Sequence, residues 1–309
     1  MINRIVIRVK VLQIVYAYYQ KSSKDLKSAE NELLRSLQKS YDLYHYLLLL
    51  IVILTDKEQK RIDAFQYKYL VTEEERNPNT RLINNRLAEQ LRTNETLSKF
   101  ATKYGTLWNE DDTVAFTRNL LQEILNSDIY KEYLQSPDTY ESDREFWRKV
   151  FKNIILPNEE LTNLLEDKNI YWDSDVEIMG TFVLKTIKRF ESENGKQQEL
   201  LPMFRDIEDK EFALHLLRKA ISEHEENKQL IDNQIKNWEL DRIAIIDLYI
   251  MQIALAEIKN FPSIPISVSL NEYIDLARYY STPKSSNFIN GILDSIVNEL
   301  KSEGKLFKN

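Results

Sequence analysis

Apolar residues recur at helical spacing along most of this chain. In the first twenty residues, a single stripe is formed by Ile5, Val9, Leu12, Tyr16 and Tyr19, which follow one another at intervals of three or four. A period near 3.6 predicts amphipathic helices, whereas strands require strict alternation. Beyond this first helix, further helices are predicted near 25–54, 81–104, 112–126, 143–155, 175–191, 240–259, 269–281 and 285–300.

The last seventy residues carry clear signals for helix boundaries. Pro262 and Pro265 end the helix that begins at Leu240, because proline has no N–H to donate into a continuing helix. Ser269 and Glu272 have the spacing of a capping box, which predicts that the next helix opens there.

The second helix and the last helix carry further local signals. Asp25 is predicted to cap the second helix, and Ser285 and Ser286 the last one. The apolar run 47–54 predicts that the second helix is the most buried helix of the N-terminal half. Gly291 lies inside the last helix, where glycine costs about 1 kcal/mol relative to alanine. It is therefore predicted to allow another helix to approach closely.

The composition favours an all-α protein made of helical bundles. Only five glycines and seven prolines occur in 309 residues, too few for a turn-rich β protein. The absence of cysteine excludes disulfides, thiolate metal sites and cysteine nucleophiles, and the three histidines lack metal-ligand spacing. The glycines are too far apart for a nucleotide-binding glycine loop. We therefore expect no catalytic residue, no metal site and no cofactor.

The sequence also predicts where the protein resides. Its longest uninterrupted apolar run, 47–54, is far shorter than a membrane span. The N-terminus lacks an apolar core followed by a small-residue cleavage site. We expect a cytoplasmic protein without a membrane partner.

The segment 191–201 is the best candidate for a domain boundary, because it is polar and is followed by Pro202. The predicted division is an N-terminal helical region, 1–206, and a C-terminal helical bundle, 207–309. A possible repeat at an offset of 66 residues relates the region around Phe146 and Trp172 to that around Phe212 and Trp238. The middle of the chain is thus either an insertion or a duplicated helical unit.

Charge is distributed unevenly along the chain, whose formal net charge is −7. The first 24 residues contain five basic residues and no acid: Arg4, Arg8, Lys10, Lys21 and Lys24. Arg4 and Arg8 are four residues apart, so they are predicted to share a helix face that contacts phosphates. An ordinary solvated basic helix end is the alternative.

Lys284 and Phe288 form a second candidate surface at the start of the last helix. They combine a cation, an aromatic ring and the free N–H groups of a helix N-terminus, a mixture that suits single-stranded RNA. The alternative for Phe288 is a core residue that anchors the last helix.

The C-terminal motifs resemble the NusB family of transcription antitermination factors. The motifs are the runs 253–258, 264–265, 268–272, 276–277 and 288–294, and the last of them, FINGILD, is the most specific. The resemblance covers residues 209–300 and, more loosely, 4–18, where Arg8 and Tyr16 occupy family positions. The chain departs from the family in the basic cluster, which is reduced to Arg4 and Arg8 around three apolar residues.

The resemblance implies an all-α protein, with a NusB-like C-terminal bundle, that binds RNA without catalysis. Its expected partners are boxA-type single-stranded RNA, the ribosomal protein NusE and the antitermination complex of RNA polymerase. The implied RNA contacts are Arg4, Arg8 and Lys10 on the first helix and Lys284 and Phe288 at the start of the last helix. Tyr16 and Asp247 are the implied NusE contacts, and Asp247 is expected to lie off the core stripe of its helix.

Two other functions are weighed against this one. A helical scaffold that has lost its RNA surface would bind protein alone. A ribosomal RNA methyltransferase carrying a NusB-like domain would need a glycine-rich cofactor fold and a catalytic cysteine, both of which this sequence lacks.

Overall fold

The protein is all-α, as predicted, in a computed structural model that describes residues 2–22, 24–70, 72–105, 107–235, 243–282 and 284–306. Within these ranges no strand occurs, and the only β-type pairing is an isolated bridge between Ile2 and Phe204. The described helices, in chain order, are α1 (Arg4–Gln20), α2 (Leu26–Phe65), α3 (Glu73–Arg76), α4 (Arg86–Thr93), α5 (Glu95–Tyr104), α6 (Asp111–Asn126), α7 (Asp128–Gln135), α8 (Tyr140–Val150), α9 (Glu159–Lys168), α10 (Asp175–Arg189), α11 (Ile207–Ser222), α12 (His224–Gln234), α13 (Ile245–Asn260), α14 (Ile266–Tyr280) and α15 (Ser285–Ser302). Among them, none combines the length and the apolar character that a membrane span requires.

The chain divides into two compact units. Unit 1 comprises residues 1–37 and 204–309, and unit 2 is the continuous segment 38–203. This grouping differs from the sequence-based division at 206/207 in its treatment of the N-terminus. It places α1 with the C-terminal helices because α1 packs on α11 and α13.

Helix α13 is the centre of unit 1. It packs against α1, α11, α12, α14 and α15, and every residue from Asp247 to Ile258 is buried. The spacing of Ile243, Ile246, Ile250 and Ile253 in the sequence predicts a single apolar face on this helix. The structure instead buries the helix on all sides and leaves Ile243 and Ile246 only half-buried. Such a helix presents its polar side chains to other helices rather than to water.

Unit 2 is built around α8, which packs against α4, α7 and α10. Large aromatic side chains fill its core. Trp108 is fully buried and its indole Nε1 donates a hydrogen bond to the Tyr46 carbonyl at 2.8 Å. Trp172 is buried, and its indole Nε1 donates a hydrogen bond to the Lys39 carbonyl at 2.8 Å. The core therefore satisfies the polar edge of each of these rings.

Helix α2 confirms one local prediction and extends another. Asp25 caps it, since the Asp25 carboxylate accepts a hydrogen bond from the Ser28 N–H at 2.9 Å. The apolar run 47–54 is buried throughout, apart from the half-buried Ile53. The helix continues eleven residues past the predicted end, to Phe65, through a charged segment. Pairs such as Arg61 Nε to Glu58 at 2.6 Å support that segment.

The predicted caps near the C-terminus are wrong. Helix α14 begins at Ile266 rather than at Ser269, because Pro265 takes the N-cap position and Ser269 lies one turn inside the helix. Its hydroxyl donates to Glu257 instead of capping. Helix α15 begins at Ser285 with Lys284 as the N-cap, and no side chain caps it.

Glycine-mediated close approach occurs at a different position from the predicted one. A Cβ on Gly291 would meet no atom within 4 Å, so the prediction for Gly291 is wrong. A Cβ on Gly180, in α10, would clash with Leu156 Cδ1. Leu156 follows a π-helical turn at Phe151–Ile155 that directly continues α8. Helix α10 therefore passes close to the end of this turn.

Two sequence predictions fall outside the described residues. The start of a helix at Leu240 lies in the range 236–242, and so does Trp238, which the proposed repeat pairs with Trp172. The duplicated helical unit stays a prediction.

Candidate functional site

The two N-terminal arginines share one helix face, as predicted. The guanidinium carbons of Arg4 and Arg8 lie 4.9 Å and 5.6 Å from the centre of the Phe212 ring on α11. Arg4 Nε is also 3.8 Å from Asp209 Oδ1, and about a third of the Arg4 side chain is exposed. The shared face therefore packs against α11, and Arg4 keeps part of its guanidinium in solvent.

Arg8 is held inside unit 1. It is 2% exposed, and its Nε and Nη2 donate to the two carboxylate oxygens of Glu257, each at 2.8 Å. Its Nη1 donates to Glu272 Oε2 at 3.0 Å. Ser269 and Tyr273 donate their hydroxyls to the same Glu257 carboxylate at 2.7 Å and 2.9 Å. Both Glu257 oxygens thus accept two hydrogen bonds.

This network raises the pKa of two of its members, Arg8 and Tyr273. Burial opposes the charged form of Arg8, but the hydrogen bonds and the charge of Glu257 outweigh it and raise the pKa of Arg8. Burial, followed by the charge of Glu257, raises the pKa of Tyr273 well above its usual value. Arg8 on α1 thus binds Glu257 on α13 through two hydrogen bonds and Glu272 on α14 through one, and these bonds hold the three helices together.

Lys10 is also buried and is not exposed to solvent. Its side chain is among the largest fully buried ones in the described residues. Of the three residues predicted on α1 to contact RNA, only Arg4 has a partly exposed cationic group.

The surface predicted at the start of α15 is only partly as expected. Lys284 is exposed and Phe288 is half-buried. The expected free N–H groups are partly used, because the N–H of Ser285 donates to the Thr282 carbonyl at 2.9 Å and that of Phe288 to the Lys284 carbonyl at 3.3 Å. The cation and part of the ring are accessible, and the backbone contributes less than predicted.

Asp247 is buried, at 5% exposure, although the sequence placed it outside the core. It occupies the first turn of α13, where a carboxylate is favoured by the helix dipole. Its Oδ1 atom is buried and makes no hydrogen bond within the described residues. An unpaired carboxylate oxygen at a buried position is costly unless a donor from outside reaches it.

Tyr16 belongs to an aromatic cluster that the sequence pattern did not predict. Its ring packs edge-to-face on Tyr249 at 6.1 Å, and Tyr19 stacks on both Tyr249, at 5.6 Å, and His224, at 3.9 Å. Desolvation is the main reason why the pKa of His224 is lowered. Tyr249 and Asp247 are two residues apart on α13, which corresponds to a rotation of about 200° around the helix axis. Tyr16, which packs on Tyr249, therefore lies on a different side of α13 from Asp247.

The two units differ in charge. Unit 2 contains 29 of the 49 acidic residues and 22 of the 42 basic ones, so it carries the whole formal charge of −7. Unit 1 has 20 of each. Unit 1 therefore repels an anionic ligand less than unit 2 does.

No group of three or more His, Asp or Glu in the described ranges is arranged to hold a metal ion.

Similarity to known proteins is concentrated in the C-terminal part. The model of the NusB family matches residues 174–298. The transcription antitermination protein NusB of Salinibacter ruber is 36% identical over 132 residues, which cover 41% of this chain and 82% of that protein. The chain belongs to the NusB family. The predicted resemblance over 209–300 is confirmed, and the match begins earlier, at residue 174.

Two further NusB proteins are similar over shorter stretches. The transcription antitermination protein NusB of Chloroherpeton thalassium is 44% identical over 104 residues, 34% of this chain and about half, 49%, of that protein. The structure of T. maritima NusB is 29% identical, covers 40% of this chain and 87% of its own, and superposes with a TM-score of 0.31.

Proposed function

We propose that this NusB-family chain is a transcription antitermination factor that binds boxA-type single-stranded RNA together with the ribosomal protein NusE, within the antitermination complex of RNA polymerase. Family membership carries the proposal, since the relatives from S. ruber and C. thalassium are named transcription antitermination proteins. Unit 1 has no formal net charge, and its partly exposed Arg4, exposed Lys284 and half-buried Phe288 support RNA binding there.

The RNA surface we propose contains Arg4, Lys284 and Phe288. The first two supply cations to phosphates, and the accessible part of Phe288 offers an aromatic edge to a base. Arg8 and Lys10 act indirectly in this proposal. Because Arg8 binds Glu257 and Glu272, it sets the position of α1, and therefore that of Arg4.

The salt dependence of binding tests this division of roles. Two phosphate contacts at about −0.7 each give a log–log slope of about −1.4, whereas four contacts would give about −3. In filter binding with boxA-type RNA, Lys284→Ala should weaken affinity and flatten the slope by about 0.7. Lys301→Ala, at the exposed far end of the same helix, is the matched control. A slope near −3 would indicate about four phosphate contacts and would contradict an RNA surface whose only cations are Arg4 and Lys284.

The partner surface we propose includes Asp247 and Tyr16. Asp247 Oδ1 has no donor among the described residues, and this supports the assignment, because a lysine or arginine of a basic protein would supply one. Tyr16, exposed at the edge of the cluster with Tyr19 and Tyr249, supplies apolar area on a different side of α13.

Asp247→Asn tests the partner role with little change of shape. We expect calorimetry to show that NusE binds at least about tenfold more weakly, since truncating a buried charge pair costs about 2–5 kcal/mol. RNA affinity in the absence of NusE should not change. Asp232→Asn, at an exposed position on α12, is the matched control. Unaltered NusE affinity of the Asp247 variant would contradict the assignment.

A protein scaffold without RNA binding is the second candidate, and the burial of Arg8 and Lys10 favours it. The two functions separate in the same filter-binding titration carried out with and without NusE. Retained NusE binding with no RNA binding in either condition would identify the scaffold.

A further inference from the structure

Tyr279 is the most exposed large apolar side chain in the described part of unit 1, at 83%. It is the penultimate residue of α14 and lies on the solvent face of this helix, one turn beyond Asp275. Asp275 and Arg278 pair with each other at 2.6 Å. Because its ring is almost fully hydrated, packing within the fold does not explain an aromatic side chain here.

Tyr279 and Lys284 are five residues apart, on either side of the short connection between α14 and α15. The Ser285 N–H donates to the Thr282 carbonyl at 2.9 Å, which closes a tight turn between the two helices. The hydroxyls of Thr282 and Ser281 lie 2.8 Å and 3.0 Å from that of Ser285. The end of α14 and the start of α15 are thus held together, with an exposed ring on one side and an exposed cation on the other.

Helix α14 also connects this end of the bundle to α1. Arg8 Nη1 binds Glu272 Oε2 at 3.0 Å, and Tyr279 is seven residues farther along α14, a rise of about 10 Å. The exposed ring therefore lies between the α1 contact on this helix and the start of α15.

We propose that Tyr279 is a stacking platform for an unpaired base of the bound RNA. This inference rests on the proposed function, and it adds to the proposed RNA surface a residue that the sequence did not predict there. An exposed aromatic face accepts any base, while the neighbouring Lys284 neutralises a phosphate of the same strand. The phenol is uncharged, so its contribution to affinity does not depend on counterion release.

Affinity and its salt dependence together distinguish stacking from charge. With boxA-type RNA and the full chain, Tyr279→Ala should weaken binding by at least about fivefold and leave the salt slope unchanged. Tyr279→Phe retains the ring and should bind within about twofold of the wild type. Tyr67→Ala, at an equally exposed tyrosine in unit 2, is the matched control and should bind like the wild type.

Each other outcome overturns the inference in an identifiable way. Wild-type affinity of Tyr279→Ala excludes the platform, and an equal loss in Tyr279→Phe shows a hydroxyl hydrogen bond instead of stacking. A variant that loses NusE binding but retains RNA binding identifies a protein contact. If the wild type itself binds no RNA, the proposed function fails, and the role of Tyr279 fails with it. Circular dichroism of each variant checks that the helices are intact.

Discussion

Replacing Glu257 with alanine is expected to lower the free energy of unfolding by about 3–5 kcal/mol. The substitution leaves the Arg8 guanidinium buried with only Glu272 as a charged partner, and an uncompensated buried charge is strongly destabilising. It also removes the acceptor for Ser269 and Tyr273. Urea unfolding followed by circular dichroism measures the change.

Glu272→Ala is the matched control for this prediction. Glu272 binds the same guanidinium from a partly exposed position, so its loss should cost no more than about 1 kcal/mol. Replacing both Arg8 and Glu257 with apolar residues should recover part of the lost stability, because no unpaired charge remains. Equal destabilisation by Glu257→Ala and Glu272→Ala would contradict the central role of Glu257.

Trp108→Ala is expected to destabilise unit 2 by about 3–5 kcal/mol. The substitution leaves a cavity where a fully buried indole packed, and the Tyr46 carbonyl loses its hydrogen bond. The loss should appear as a lower urea midpoint of the transition of unit 2. Tyr67→Ala, whose side chain is 88% exposed, should change stability by no more than about 0.5 kcal/mol. A midpoint equal to that of this control would contradict the prediction.

The sequence predicted which residues share a helix face but not where every face points. Arg4 and Arg8 are on one side of α1, as their spacing required. The direction of that side depends on Glu257, an acceptor 249 residues away in the sequence. Periodicity carries no information about such a partner, so a buried arginine and a phosphate-binding one have the same local pattern.

The helices were predictable where local forces determine them. The all-α class and the cap at Asp25 follow from composition and spacing, and the structure confirms both. The Ser269–Glu272 spacing misled because the preceding Pro265 already sets the start of the helix and Glu257 recruits the Ser269 hydroxyl. Likewise, close packing at Gly180 rather than Gly291 is decided by which helices meet, a tertiary property.

The discontinuity of unit 1 has a consequence for the order of folding during synthesis. Unit 2 is one continuous segment, so all of the residues that pack within it have left the ribosome once residue 203 has emerged. Arg8 emerges 249 residues before Glu257, an interval of about 12–50 s at about 5–20 residues per second. Until α11 and α13 have emerged, α1 lacks the helices that it packs against, and Arg8 lacks the Glu257 carboxylate. Helix α1 is therefore made before the helices that pack against it in unit 1, and it is packed only after unit 2 has been synthesised.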